Sequence, residues 1–297
     1  MLSFSIVIPI YNRLPITREG LKSLSDSLAY YKTNGEGTCL FEVVVVDDGS
    51  TDGSSAWIAE NYPSIHLLQG GDLWWSGAIN LGARFAIEQL KSQYVILWND
   101  DTTCDIAYFT GLEKILMPPS EFRTSILVSK VFWQDQPNVL FNFGCFFDRR
   151  TGRKKLIGYN ETDTGEKYQK ITQVDWSGGM GTVIPAEILR AVDYFDSKNF
   201  PQYHGDSDFF LRAQRKKYTA FAIPVLKIWN NRETTGIRGA RSLSDLGKAL
   251  YSNRSNYNLK QNYIFNQRHS NSIGSWVNLL HQYAVYIGIS FKKIIWS

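Results

Sequence analysis

YVILWNDDTTCD, residues 94–105, runs apolar from Tyr94 to Trp98 and then breaks into Asn99, Asp100 and Asp101. A short apolar run bounded by polar residues reads as a buried strand. Adjacent carboxylates repel each other, and folding alone gives no reason to set two of them at the mouth of a core strand. An ordinary polar turn accounts for one Asp. Acids closely spaced at a strand end also hold a hard divalent cation shared with phosphate oxygens.

The flanking sequence decides which setting applies. FSIVIPI (4–10) and FEVVVVDDGS (41–50) contain two further apolar runs that read as parallel strands, and IHLLQG (65–70) is a shorter one. Helical patterns lie between them over 15–31, 51–62 and 76–91, with Pro15 near one start and Thr51 or Asp52 as the expected cap of another. Alternation of this kind implies an α/β fold: a Rossmann-like, mostly parallel central sheet with helices on both faces. Ligands on such sheets sit at the carboxyl ends of the strands. Here those ends carry YNR, DDGS and NDDT.

After residue 120 the pattern changes. Strands are expected over 125–133, 139–148 and 220–229, a loop or hairpin over 149–170, and a strand with a Gly-rich turn in VDWSGGMGTVIP (174–185). GDSDFFLRAQRKKY (205–218) opens with acids and continues as a helix. Its bland reading is a capped helix in which Asp208 pairs with Arg212 one turn on; a functional reading needs one carboxylate there to take a proton from a hydroxyl.

Composition narrows the class. The 297 residues are 43% hydrophobic and 20% charged with a net charge of +4, ordinary for a soluble globular chain. No basic stripe accompanies the nine Trp, so nucleic acid is not an expected partner. Cys39, Cys104 and Cys145 form neither a zinc motif nor a disulfide framework, as in a reducing compartment. The expected location is cytoplasmic, with a peripheral contact on the inner face of a membrane as one reading of the tail.

The ordered segments SIVIPIYNR, VVVVDDGSTD, WNDDT, WSGGMGTVIP and HGDSDFFLRAQRKKY resemble family 2 glycosyltransferases, inverting enzymes of the GT-A fold that use nucleotide-sugar donors. GGDLWWSGAINLG (70–82) is similar to a bacterial subgroup of rhamnosyl- and galactosyltransferase-like proteins of surface polysaccharide assembly. The resemblance implies a catalytic domain over 1–240, with a nucleotide-binding half (1–105) and an acceptor half (106–240), and a C-terminal helical extension over 241–297.

It also implies roles. Pro9, Tyr11, Asn12 and Arg13 would line the nucleobase pocket, and Asp47 or Asp48 would accept from the imide of uracil or thymine, so the donor would be a UDP- or dTDP-sugar. Asp101 would bind Mn²⁺ or Mg²⁺, Asp100 would lie near ribose or sugar, and Asn99 replaces the usual first acid. Asp206 would be the catalytic base, with Gly205 where a Glu is usual. Asp72, Trp75, Ser76, Asn80, Trp176, Gly178, Gly179, His204 and Asp208 would form the donor and acceptor pocket. The segment IWNNRETTG lacks the His that relatives offer a metal; Arg232 or Arg238 could supply positive charge instead. The acceptor would be a glycan or lipid-linked hydroxyl. A nucleotidyltransferase would show a Gly-rich basic loop after the first strand, and PIYNRLPITREG has none; a catalytically inactive nucleotide-sugar binder would have no need of Asp101 and Asp206. The tail 275–297 has apolar residues at helical spacing, a Tyr/Trp fringe and Lys292–Lys293, which suits core packing, a homodimer contact or an in-plane membrane helix.

Overall fold

A computed structural model of the chain describes residues 1–232 and 242–295. In chain order the strands are β1 (Leu2–Ile10), β2 (Cys39–Asp47), β3 (His66–Gln69), β4 (Tyr94–Leu97), β5 (Thr102–Cys104), β6 (Ile126–Trp133), β7 (Leu140–Asn142), β8 (Cys145–Asp148), β9 (Arg153–Leu156), β10 (Thr172–Val174), β11 (Thr182–Pro185) and β12 (Ala220–Asn230). The helices are α1 (Leu14–Asn34), α2 (Ser54–Asn61), α3 (Trp74–Glu88), α4 (Tyr108–Leu116), α5 (Ala186–Ala191), α6 (Gly205–Arg215), α7 (Leu243–Tyr251), α8 (Leu259–His269) and α9 (Ile273–Ile295).

The main sheet runs β10-β12-β6-β11-β4-β1-β2-β3. β4, β1, β2 and β3 pair in parallel, as the strand–helix alternation requires. β11 enters antiparallel between β4 and β6, and β12 lies parallel to β6. Successive side chains of β1 reach opposite faces: Ile6 and Ile8 join one core layer, while Val7 joins the other beneath α3. The apolar runs of β1, β2 and β4 are continuous because both faces are covered.

Three local expectations change. The run 139–148 is two strands, β7 and β8, in different sheets; Gly144 at φ 79° breaks it, and β8 pairs with β9 as a separate hairpin. The second helix is capped by Gly53 at φ 86°, while Asp52 accepts from the amides of Ser54 and Leu14, bracing the starts of two helices. The third helix starts two residues early, at Trp74. Residue 238 and the expected boundary at 240/241 lie outside the described residues. Arg232 pairs with Asp135 at 2.9 Å.

The C-terminal helices are fixed to the sheet domain through α6. Phe265 of α8 packs with Phe147, Phe200 and Leu211. Asp208, fully buried, accepts from Arg212 (2.7 Å), Arg268 (2.7 Å) and His269 (2.8 Å). Burial alone would raise this carboxyl, yet hydrogen bonds from His269, Arg212 and Arg268 hold it down at about 2. Removing one partner of a buried ionic cluster strands the others, so Asp208→Asn is expected to cost ~3–5 kcal/mol, read as a lowered denaturant midpoint. Because the folded pKa is depressed, this contribution is present above the unfolded value and disappears as pH falls from about 4 towards 2. Wild type should therefore lose more stability than the variant across that interval. Asp26→Asn, at an exposed pair with Lys22, should leave both measurements unchanged.

Candidate active site

The ends of β1, β2 and β4 converge as expected. Arg13 lies across the two acids that follow β4: Nη1 is 2.9 Å from Asp100 Oδ1 and Nη2 is 3.0 Å from Asp101 Oδ2. Burial pushes the Asp100 carboxyl up to about 7, against the pull of Arg13. Around this pair the loops are tied by side chains. Asn12 Oδ1 accepts from Thr51 N at 2.7 Å, and Ser50 Oγ accepts from Asn12 N at 2.9 Å. Pro9 is half-buried behind Tyr11, which is exposed at the rim.

The DDGS acids separate into two roles. Asp47 is 1% exposed and accepts from Ser50 N and Ser55 Oγ, so it is sealed inside the turn. Asp48 is half-buried and gathers the amides of Gly71 (2.9 Å), Leu73 (2.8 Å) and Trp74 (2.8 Å). It therefore shapes the GGDLWW turn, in which Asp72 and Trp74 adopt positive φ of 57° and 61° and Asp72 is exposed.

That turn aims Trp75 inward. Its Nε1 donates to Asn99 Oδ1 at 3.2 Å, and its ring meets Phe195 edge-on at 5.5 Å. A Cβ at Gly179 would fall 2.1 Å from the same ring, and one at Gly178 would lie 3.8 Å from Asp206 Oδ2. The loop after β10 thus runs from Trp75 to Asp206, and a contiguous wall joins the Asn99–Asp101 turn to Asp206.

Asp206 opens α6, with Oδ1 accepting from Ser207 N at 2.6 Å. Burial raises its carboxyl, and Lys154 of β9 pulls it back. Lys154 Nζ donates to His204 Nδ1 at 3.0 Å and to Ser207 Oγ at 2.7 Å, over the rings of Phe265 (4.1 Å) and Trp176 (5.0 Å). Burial lowers the His204 pKa well below the usual imidazole value.

Three residues expected in the pocket act as internal braces instead. Ser76 is buried and donates to Phe200 O at 2.6 Å. Asn80 clamps the backbone of Phe195 from both ends of its amide, at 2.8 and 3.0 Å. Asp208 is sealed in the cluster with α8 described above. Their polar atoms fasten the 195–208 segment to α3 and α8, and so act on the site from behind.

The family model described as glycosyl transferase family 2 matches residues 5–155, half of the chain. The chain belongs to glycosyl transferase family 2. The fold agrees, being that of GT-A glycosyltransferases. GalNAc-T7 with UDP, GalNAc and Mn²⁺ superposes with a TM-score of 0.55 at 13% identity, over 78% of this chain and 44% of that one. TarS 1–349 of S. aureus with UDP-GlcNAc gives 0.54 at 16% identity, over 78% and 59%. Mannosyltransferase PcManGT from Pyrobaculum calidifontis with GDP-Man and Mn²⁺ gives 0.53 at 16%, over 94% and 68%. The chain spans about half the length of the first two. At these identities the likeness is one of fold. No curated protein matches in sequence.

Family 2 membership makes the cation question concrete. Among the described residues no three His, Cys, Asp or Glu side chains gather to hold a metal. The strand ends nevertheless leave three buried oxygens without a hydrogen-bond partner: Asp101 Oδ1, Thr102 Oγ1 and Asn230 Oδ1. Asn230 pairs with Thr102 across β12 and β5, which brings these oxygens to one corner. Hard oxygen donors around one carboxylate fit a divalent cation that takes its remaining ligands from phosphate and water.

Sequence reasoning missed Lys154, which sits in a cationic run that reads as a solvated hairpin. It noticed Asn230 only as the lack of a His; no sequence signal pairs β12 with β5.

The contact between Trp75 and Gly179 is directly testable. Gly179→Ala must displace the indole from Asn99, and overpacking of this kind costs ~1–3 kcal/mol. A lowered melting temperature with altered Trp fluorescence is expected. Gly247→Ala in α7, where a Cβ meets nothing within 4 Å, should be neutral or stabilising.

Proposed function

We propose that this chain is an inverting glycosyltransferase that moves a sugar, of rhamnosyl or galactosyl type, from a UDP- or dTDP-sugar to a hydroxyl of a glycan or lipid-linked acceptor in bacterial surface polysaccharide synthesis. The observation that carries the reading is the contact path from Asp101 and Asn99 through Trp75 and the Gly178–Gly179 loop to Asp206. A single site with one end for a diphosphate and the other for a base accords with that path.

The nucleobase lies along Tyr11 and Asn12, and of the two DDGS acids Asp48 is the one with exposed surface to offer an imide. Arg13, oriented by Asp100 and Asp101, presents a fixed guanidinium to the diphosphate. Asp101, with Thr102 and Asn230 beside it, would hold Mn²⁺ or Mg²⁺, which when bound supplies charge to offset the leaving diphosphate. Asp206 accepts the proton of the acceptor hydroxyl as that oxygen attacks the anomeric carbon. The carbon–oxygen bond to diphosphate breaks on the opposite face. A single displacement with no protein nucleophile inverts the anomeric configuration.

Nucleotide sugars of the UDP, dTDP and GDP series, each with and without Mn²⁺, should separate in a thermal-shift assay, the true donor raising the melting temperature most. With that donor, Asp206→Asn is expected to lower transfer at least ~10²-fold while donor affinity stays within about twofold. The product's anomeric proton coupling should report inversion. Transfer surviving in Asp206→Asn, or a retained configuration, overturns the reading.

A lipid-linked acceptor needs the protein near a bilayer. No described helix is long and apolar enough to cross one. α9, however, buries Ser275, Tyr286 and Ser290 and leaves Val277, Leu280, Val285, Ile289 and Phe291 exposed, with Lys292 and Lys293 in its last turn. We place this stripe against the membrane surface, the homodimer contact being the competing use. The protein should float with vesicles containing about a third phosphatidylglycerol, and Leu280→Glu with Ile289→Glu should sediment free of them. Equal flotation of both forms would remove the membrane role.

A further inference from the structure

Among the described residues near Asp206, Lys154 carries a charge that the reaction above does not use. It comes from the β8–β9 hairpin and reaches α6 across fifty residues of sequence. Its ammonium donates to His204 Nδ1 and Ser207 Oγ, which bracket Asp206 in the chain. The faces of Phe265 and Trp176 line its other sides, 4.1 and 5.0 Å from Nζ. Aromatic faces replace water on those sides, so the charge is less screened there than in solvent.

The groups around it narrow what that charge can do. Asp208, on the far side of α6, already has Arg212, Arg268 and His269. His204 cannot take a proton at Nδ1, which Lys154 occupies; its Nε2 is buried and without a partner, and burial keeps the ring neutral. His269 on α8 is turned to Asp208 and is also held below the usual imidazole value by burial. Cys145 of β8 is buried, and its thiol is pushed far up by that burial and by Asp206. Asp206 is therefore the carboxylate on which Lys154 acts.

We propose that Lys154 is the positioning residue that keeps Asp206 ionised and so sets the pH range of transfer. The proposal rests on the reading of Asp206 as base. Burial favours the protonated carboxyl; the ammonium stabilises the anion until the acceptor's O–H proton moves onto it, and Lys154 keeps its own protons throughout. After the diphosphate departs, Asp206 returns the proton to solvent. Burial lowers Lys154 itself to about 8, within reach of ordinary assay conditions. The working form has Asp206 bare and Lys154 charged, so activity is lost on the acid side as Asp206 protonates and on the alkaline side as Lys154 deprotonates.

Two variants of the full chain test this, with nucleotide release from the panel's best donor measured from pH 5 to 10. In Lys154→Met the acid limb should move up by about one pH unit, a loss of about tenfold in rate at the low end. In Lys154→Arg the acid limb should return and the alkaline limb near 8 should vanish, because a guanidinium does not titrate there. The Asp206 carboxyl carbon, followed by ¹³C NMR without donor and assigned with Asp206→Asn, should show the same upward shift in Lys154→Met. A merely structural lysine would change the rate at every pH and leave both limbs in place. Should Lys154→Met not fold, the Lys154→Arg profile decides alone: an alkaline limb that stays overturns the proposal. An unmoved Asp206 resonance in folded Lys154→Met overturns it too, with the function reading intact if Asp206→Asn is inactive. A moved resonance together with an active Asp206→Asn keeps the coupling and removes the base.

Discussion

Asp100 and Asp101, with side chains 5% and 6% exposed, can stand together at the mouth of β4 because one guanidinium spans both. Two bare carboxylates in that setting would cost several kcal/mol in desolvation and repulsion. Arg13 lowers that cost and is itself positioned by it, since it caps the start of α1 and is reached by Asp52 through the next residue's amide. The same salt bridge thus fixes the first βα turn, the end of β4 and the loop after β2. It leaves Asp101 Oδ1 without a hydrogen-bond partner, and the buried oxygens of Thr102 and Asn230 are likewise without one.

The parallel half of the molecule was legible in the sequence because its strands are buried on both faces, so their apolar runs are continuous and end sharply. Glycosyl transferase family 2 matches that same half. Arg13, Asp100 and Asp101, singled out by type and strand-end position, do meet in the structure. What escaped is what depends on distant pairing. Asn230 acquires meaning only by standing opposite Thr102 across an antiparallel bridge that no periodicity announces. Lys154, in GRKK, has the composition of a solvent-facing hairpin; only the packing of Phe265 from α8 and Trp176 from the Gly-rich loop encloses it. Ser76, Asn80 and Asp208 fail in the opposite direction. Polar residues near a motif read as pocket lining, but each is bound to backbone or ions within the protein. Sequence gives the type of a polar residue and not the direction in which it points.

Asp206 and Asp208 show how much direction matters. They are two residues apart at the start of one helix, so with about 100° of rotation per residue their side chains leave on nearly opposite faces. Both meet the same favourable helix dipole. Yet Asp208 is held down at about 2 by His269, Arg212 and Arg268, while Asp206 is raised by burial against the opposing pull of Lys154 and the Ser207 amide. The dipole cannot produce that divergence; the partners do. Two guanidiniums and an imidazole on one side hold an anion that fastens α8 to the sheet domain. One lysine, itself weakened by burial, only partly offsets the burial that raises the other carboxylate. Two carboxyls on one helix are thus driven apart by their surroundings. The C-terminal helices accordingly touch the surroundings of both carboxyls: α8 supplies a ring packed on Lys154 and two of the partners that hold Asp208.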